Sequence, residues 1–269
     1  MMISKGQKLL ESFKSSFADL GCFCNSLSHS FQMALQNSSS CSDTPISYAE
    51  QRSRLYDKMS RDLDENGAAF LNRGETSQSL SLSDLFTLKD GSVTPILKAA
   101  IPPVRATVLY LSPEYSVPIS EHIKAEVNAV KAVAEDLCPL TIVLDRVVLT
   151  STGVLVGCWQ VLSGTDPVII RAKLRAALPR APEKQLYDAA ILHTSFARLL
   201  GHPNASSSEA DKTSEIQIFH DLVTQLNNQI QGFEATVTEL WYVEEFDVLA
   251  LALDGKIKVR KFQLGCSKT

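Results

Sequence analysis

Apolar residues fall at strand or helix spacing through most of the chain beyond position 96. "RATVLYL" (105–111) is β-branched and apolar and predicts a strand. Ile119, Ile123, Val127, Val130, Val133 and Leu137 then form one stripe at helical spacing. "LTIVLDRVVLTSTGVLVGCWQVL" (140–162) predicts two long strands about a turn at Ser151–Gly153. Asp166 followed by Pro167 marks a helix start, and "VIIRAKLRAAL" (168–178) supplies its apolar face. A strand carrying His193 comes next. A helix follows from about Ser214 to Gln231, with Phe219, Leu222, Leu226 and Ile230 inward and Gly232 as its stop. "TVTELWYVEEFDVLALALDGKIKVRKFQL" (236–264) finishes with strands, turned at Asp254–Gly255.

Residues 1–95 read differently. Leu10, Phe13, Phe17 and Leu20 stand at helical spacing, so a short amphipathic helix is expected there, docked on the protein's own core. "QNSSSCSDTP" (36–45) has the composition of a linker. "YAEQRSRLYDKMSRDLDENG" (48–67) predicts a polar helix stopped by Gly67, and "SQSLSLSD" (77–84) a loop. The division expected is a helical, partly flexible extension over 1–95 and a domain over 96–269.

The predicted order over that domain is strand–helix–strand–strand–helix, then strand–helix–strand–strand. It is a repeated unit of roughly 85 residues, whose opening strands carry Arg-x-Thr and His-x-Ser. Hairpins segregated from helices indicate an α+β fold rather than a parallel α/β sheet. The expected architecture is bilobal: two pseudo-symmetric antiparallel sheets, helices on their outer faces, and a central cleft.

Composition narrows the partners. The 269 residues are 45% hydrophobic and 21% charged, with a net charge of -4, as in soluble globular proteins. That balance argues against broad, non-specific nucleic-acid binding through clustered cations, and DNA is not an expected partner. No run approaches the roughly 20 apolar residues of a membrane span. The six cysteines show no C-x-x-C pair or zinc-ligand spacing, so free thiols in a reducing, cytoplasmic setting are expected, with no metal and no cofactor. The N-terminus is Ser-rich but holds Glu11 and Asp19, which counts against an organelle address.

The chemistry concentrates in the two opening strands. Strand side chains alternate, so His193 and Ser195 share one face while Thr194 takes the other; Arg105 and Thr107 share a face in the same way. A hydroxyl can donate to a phosphoryl oxygen while an imidazole moves a proton near neutral pH. Two such strands face to face would hold one phosphate between four side chains.

The motif His-x-Thr/Ser-x, given twice on paired strands, resembles that of the 2H phosphoesterases, which include the RNA ligase/cyclic nucleotide phosphodiesterase proteins. The likeness covers roughly 96–264 and rests on "HTSFAR" (193–198), the 140–159 hairpin and the terminal strands. It implies His193 as general acid or base, and Ser195 and Thr107 as phosphate ligands. It implies a cyclic nucleotide, an ADP-ribose-type cyclic phosphate or an RNA terminus as ligand. Arg105 departs from the pattern: a guanidinium stays protonated and cannot shuttle a proton, yet it grips phosphate through two hydrogen bonds. Three readings follow: a phosphodiesterase of altered or reduced activity, a non-catalytic phosphate or RNA-end binder, and a structural partner with a vestigial cleft. Tyr110 with Ser112 echoes the first motif in a poorer alignment. His122 reads as a solvated helix residue and His202 as a turn residue, while His29 and His220 have no recognisable context. The basic run Arg171, Lys173, Arg175, Arg180 and Lys184 reads as a solvated helix face or an RNA-end contact.

Overall fold

The computed structural model describes residues 23–24, 46–69, 82–89, 92–109, 123–178, 188–199 and 209–266. The expected helix at 10–20 and the linker at 36–45 lie outside them, as do His29, Tyr110, Ser112, His122, His202, Arg180 and Lys184.

The long hairpin is the frame. β5 (Leu140–Leu149) and β6 (Val154–Ser163) pair antiparallel about the expected turn. Thr150 closes it: its backbone N–H donates to Val154 O at 3.0 Å, and its Oγ1 accepts from Val154 N at 3.1 Å. β7 (His193–Leu199) pairs with β6, β8 (Glu234–Val237) with β5, and β1 (Phe23–Cys24) with β7. The result is a five-stranded sheet in the order β1-β7-β6-β5-β8. A second sheet has the order β10-β9-β4, from β4 (Ala99–Leu109), β9 (Glu239–Asp247) and β10 (Ile257–Gln263). The short pair β2 (Phe86–Lys89) and β3 (Ser92–Pro95) stands apart.

Mixed α and β with antiparallel sheets is therefore what the chain builds, and the strand–helix order departs from the predicted one by an added strand, β8, which precedes β9 and joins the other sheet. The pairing is crossed. β4 opens the first repeat unit but joins the hairpin of the second, whereas β7 opens the second unit and joins the hairpin of the first. The exchange is also uneven, because β4 pairs with the first strand of its hairpin and β7 with the second. One segment departs from the expected strands: Ala250–Leu253 makes a turn of helix before Asp254.

Helices cover both faces of the large sheet. On one face Leu144, Val147, Leu149, Leu155 and Trp159 pack with α3 (Lys124–Glu135), α4 (Pro167–Ala177) and α5 (Glu209–Ile230), together with Leu240 and Tyr242 of the small sheet. Both sheets thus feed one contiguous core. The inward stripe of α5 is the expected one: Phe219, Leu222, Leu226 and Ile230 are all buried. Each such side chain contributes about 1.5–3 kcal/mol on leaving water. α2 (Leu82–Leu85) precedes β2.

The other face is closed by α1 (Tyr48–Asn66), which starts at a Ser47 cap and ends at Gly67, the expected stop. Leu55, Tyr56 and Met59 of α1 pack on Val148, Val154, Val156 and Cys158. Arg52 is 1% exposed and grips Asp166, the cap of α4, with Nη1 at 3.2 Å and Nη2 at 2.9 Å; its Nε donates to Gln160 Oε1 at 3.0 Å. Asp62 accepts from Ser151 N at 2.7 Å at the hairpin turn. A helix of polar composition, N-terminal to position 96, is thereby packed into the same body as the strands. Among the described residues no helix is long and apolar enough to cross a membrane.

The expectation of free thiols is corrected at two positions: Cys138 and Cys266 are bridged across 128 residues, with their Cα atoms 4.1 Å apart. That removes both from the argument for a reducing compartment. The C-terminal strand end docks where α3 stops, Gly265 N donating to Ala134 O at 3.1 Å and Cys266 N to Leu137 O at 2.9 Å. Gly265 permits the approach, since a Cβ there would lie 2.6 Å from Glu135 O. Reduction, or Cys266→Ser, should cost about 3–5 kcal/mol by loop-entropy arithmetic. Urea denaturation checks this: the midpoint falls with reductant, and an unchanged midpoint would contradict the tie.

Candidate functional site

β7 presents the motif, and its register with β6 decides which side chains come together. Cys158 stands opposite His193, Gly157 opposite Thr194, Val156 opposite Ser195, Leu155 opposite Ala197 and Val154 opposite Arg198. The register shifts by one residue at Phe196, a β-bulge in β7. Strict alternation would put Arg198 on the face opposite His193. With the bulge, His193, Ser195 and Arg198 follow Cys158, Val156 and Val154 in forming one column on one face. Thr194 points the other way and accepts from Trp159 Nε1 at 3.1 Å. Phe196 lies on that side too, over Gly157, where a Cβ would come within 2.4 Å of its ring. The missing side chain at 157 is what makes room for the bulge.

α1 borders this column. Its contacts run along β5 and β6, from Gln160 past Trp159 to Ser151. The Tyr56 hydroxyl lies 2.7 Å from Trp159 O and 2.8 Å from Leu192 O, and accepts from Leu192 N at 3.2 Å. It therefore pins β6 to the residue just before His193, and burial pushes its phenol well above the ordinary range. Arg171 of α4 braces the same approach, donating to Ala189 O at 2.5 Å and Ile191 O at 2.7 Å.

His193 and Arg198 are partly buried, and Ser195 is 7% exposed. The guanidinium of Arg198 donates to Thr152 O at 3.0 Å, and no carboxylate pairs with it among the described residues. Burial pushes it down to about 10, so it remains charged at neutral pH in a partly dehydrated place. A cation so held is a seat for an anion.

The partner strand lies in the other sheet. Arg105 and Thr107 belong to β4 in the small sheet, opposite Glu244 and Tyr242 in register, and no backbone pairing joins β4 to β7. The side chains of Arg105 and Thr107 lie outside the described residues. The basic run is not one solvated face: Arg171 turns inward, and Lys173 pairs with Asp136. His220 bonds Asp64 at 2.8 Å, tying α5 to α1. Among the described residues no three His, Cys, Asp or Glu side chains cluster as metal ligands. Compared with family models, with curated proteins and with solved structures, the chain matches none.

Arg198 is the residue that period-two reading assigns to the wrong face. Its sequence signal is a glycine, Gly157, in the strand that the bulky Phe196 packs over.

Two substitutions test this description. Tyr56→Phe strands the buried Leu192 N–H and should cost about 1–3 kcal/mol, read as a lower urea midpoint; no change would mean the hydroxyl does not hold β7. Arg198→Met removes a dehydrated charge and should raise the midpoint at pH 7. The sign follows from linkage. The folded chain loses the Arg198 proton at a lower pH than the unfolded chain, so stability rises as pH climbs through about 10. The gap between Arg198→Met and wild type should close there; a less stable variant at pH 7 would refute the assignment.

Proposed function

We propose that this chain is a phosphoester-binding protein of the 2H type, acting on 2′,3′-cyclic phosphates or RNA-end phosphates with reduced cyclic phosphodiesterase activity. The observation that carries the reading is the column of β7, where the bulge aligns an imidazole, a hydroxyl and a guanidinium on one face. The crossed exchange of the two motif strands supports the view of two related lobes that share the domain.

The chemistry asked of the column is modest. Opening a cyclic phosphate needs a base to take a proton from water and an acid to protonate the departing oxygen. His193 can serve as one of these near neutral pH. Ser195 donates to a phosphoryl oxygen and Arg198 balances its charge. Arg105, at the place of the second histidine, cannot exchange a proton at neutral pH. Loss of one acid–base partner lowers the rate by about 10²–10⁴. The alternative, a non-catalytic binder, is favoured by Ser195 at 7% exposure and by Arg105, both suited to holding an anion.

The purified full chain should bind a 2′,3′-cyclic nucleotide and turn it over slowly. His193→Ala should abolish turnover and leave binding in place, Arg198→Met should weaken binding, and Arg105→His should raise turnover. Binding without turnover in every variant would decide for the non-catalytic reading. Hydrolysis that survives His193→Ala would sink the scheme.

A further inference from the structure

The small sheet holds a second group of charges, which the β7 column does not use. β10 is an edge strand that carries Lys258, Arg260 and Lys261, with Lys256 just before it. Across the sheet, Lys258 stands opposite Glu244 and Glu244 opposite Arg105; Arg260 stands opposite Tyr242 and Tyr242 opposite Thr107. These six positions lie on one face, because directly opposed residues of an antiparallel pair share a face.

Arg260 is 7% exposed, and its Nη1 donates to Glu244 Oε2 at 2.6 Å. Its guanidinium carbon lies 5.7 Å from the centroid of the Tyr242 ring. The Tyr242 hydroxyl in turn donates to Glu126 Oε2 at 2.8 Å, in the first turn of α3, a helix whose N-cap Ile123 offers no side-chain cap. The remaining edge of the guanidinium, Nε and Nη2, is buried and has no hydrogen-bond partner among the described residues. Those two nitrogens form the side-on fork of arginine, whose parallel N–H groups meet two oxygens of one carboxylate or phosphate. A buried donor without a partner costs about 1–3 kcal/mol, and folded proteins keep few of them without a water or an ion. The carboxylates facing this place, Glu244 and Glu126, are engaged by Arg260 Nη1 and Tyr242. Lys258 and Arg260 balance these two carboxylates in charge, so an anion meets no net negative field from the described groups.

We propose that this face of the small sheet is an oxyanion site, in which the Nε and Nη2 edge of Arg260, supported by Lys258, binds a tetrahedral phosphate group. Inorganic phosphate and the phosphate of a nucleotide share this chemistry. The inference does not rest on the β7 reading, since it concerns a different sheet and different donors.

The full chain, with the Arg260 Nε–H resonance assigned, is titrated with inorganic phosphate and, separately, with a nucleoside 3′-monophosphate; chloride at equal ionic strength is the control. The expected result is a saturable shift of that resonance with phosphate and none with chloride, seen also in His193→Ala. A stronger response to the nucleotide identifies a nucleotide phosphate, and an equal response identifies free phosphate. Glu244→Gln/Arg260→Gln removes both charges while keeping a hydrogen-bonded pair, and should weaken phosphate binding about tenfold or more. Lys258→Ala, on the partly exposed strand edge, should weaken it less. A resonance unmoved by either phosphate, or moved equally by chloride, overturns the proposal. The β7 reading fails separately, if Arg198→Met leaves cyclic-nucleotide binding unchanged.

Discussion

Phe196 resting on Gly157 is the contact on which the arrangement of β7 depends. Two bulky residues cannot face each other there, and the glycine admits the ring only because it has no Cβ. The ring is drawn to the main core, and the strand accommodates it by carrying one residue more than its partner. The consequence is chemical: a guanidinium that would otherwise point into the core stands in line with His193 and Ser195. Burial of one aromatic ring thus sets the composition of the candidate site.

The frame around that contact is unusually well tied for a segment of polar composition. Arg52, Tyr56 and Asp62 of α1 bond to three separate parts of the hairpin and to the cap of α4. A buried ion pair such as Arg52–Asp166 adds little net stability over a hydrophobic pair. It does fix α1 in one register along the sheet, which an apolar stripe alone would not. Beyond the α4 cap, where Cys138 N donates to Thr165 Oγ1, the Cys138–Cys266 bridge and two backbone bonds hold the last strand against α3. The strands that bear the chemistry are therefore fixed near both ends of the described chain.

Much of this was legible in the sequence. The helix stripes, the 140–162 hairpin, the Asp166–Pro167 start and the Gly67 stop follow local rules of periodicity and capping, and the structure contains them. The strand reading of 249–253 failed because a short run such as "LALAL" satisfies strand and helix patterns equally. The bulge was hidden because it depends on which residue of β6 faces Phe196, a fact of pairing rather than of order along the chain. The exchange of β4 and β7 between hairpins was hidden for the same reason. A repeat in sequence shows that two units are alike, and leaves open which strand of one unit pairs with which strand of the other. The Cys138–Cys266 bridge joins residues with no motif spacing, so composition pointed to free thiols. Arg260 and Glu244 carry no motif in the sequence; only the register reveals their pairing on one face.

The central claim is that His193, Ser195 and Arg198 act together on one phosphate. A crystal structure of the full chain with a bound nucleoside 2′-monophosphate, the product of ring opening, tests it most directly. The account predicts a phosphate oxygen within hydrogen-bonding distance of each of the three side chains, with the strand bulge intact. A phosphate bound at another surface while these three groups stay without it, under conditions that saturate binding in solution, would contradict the account.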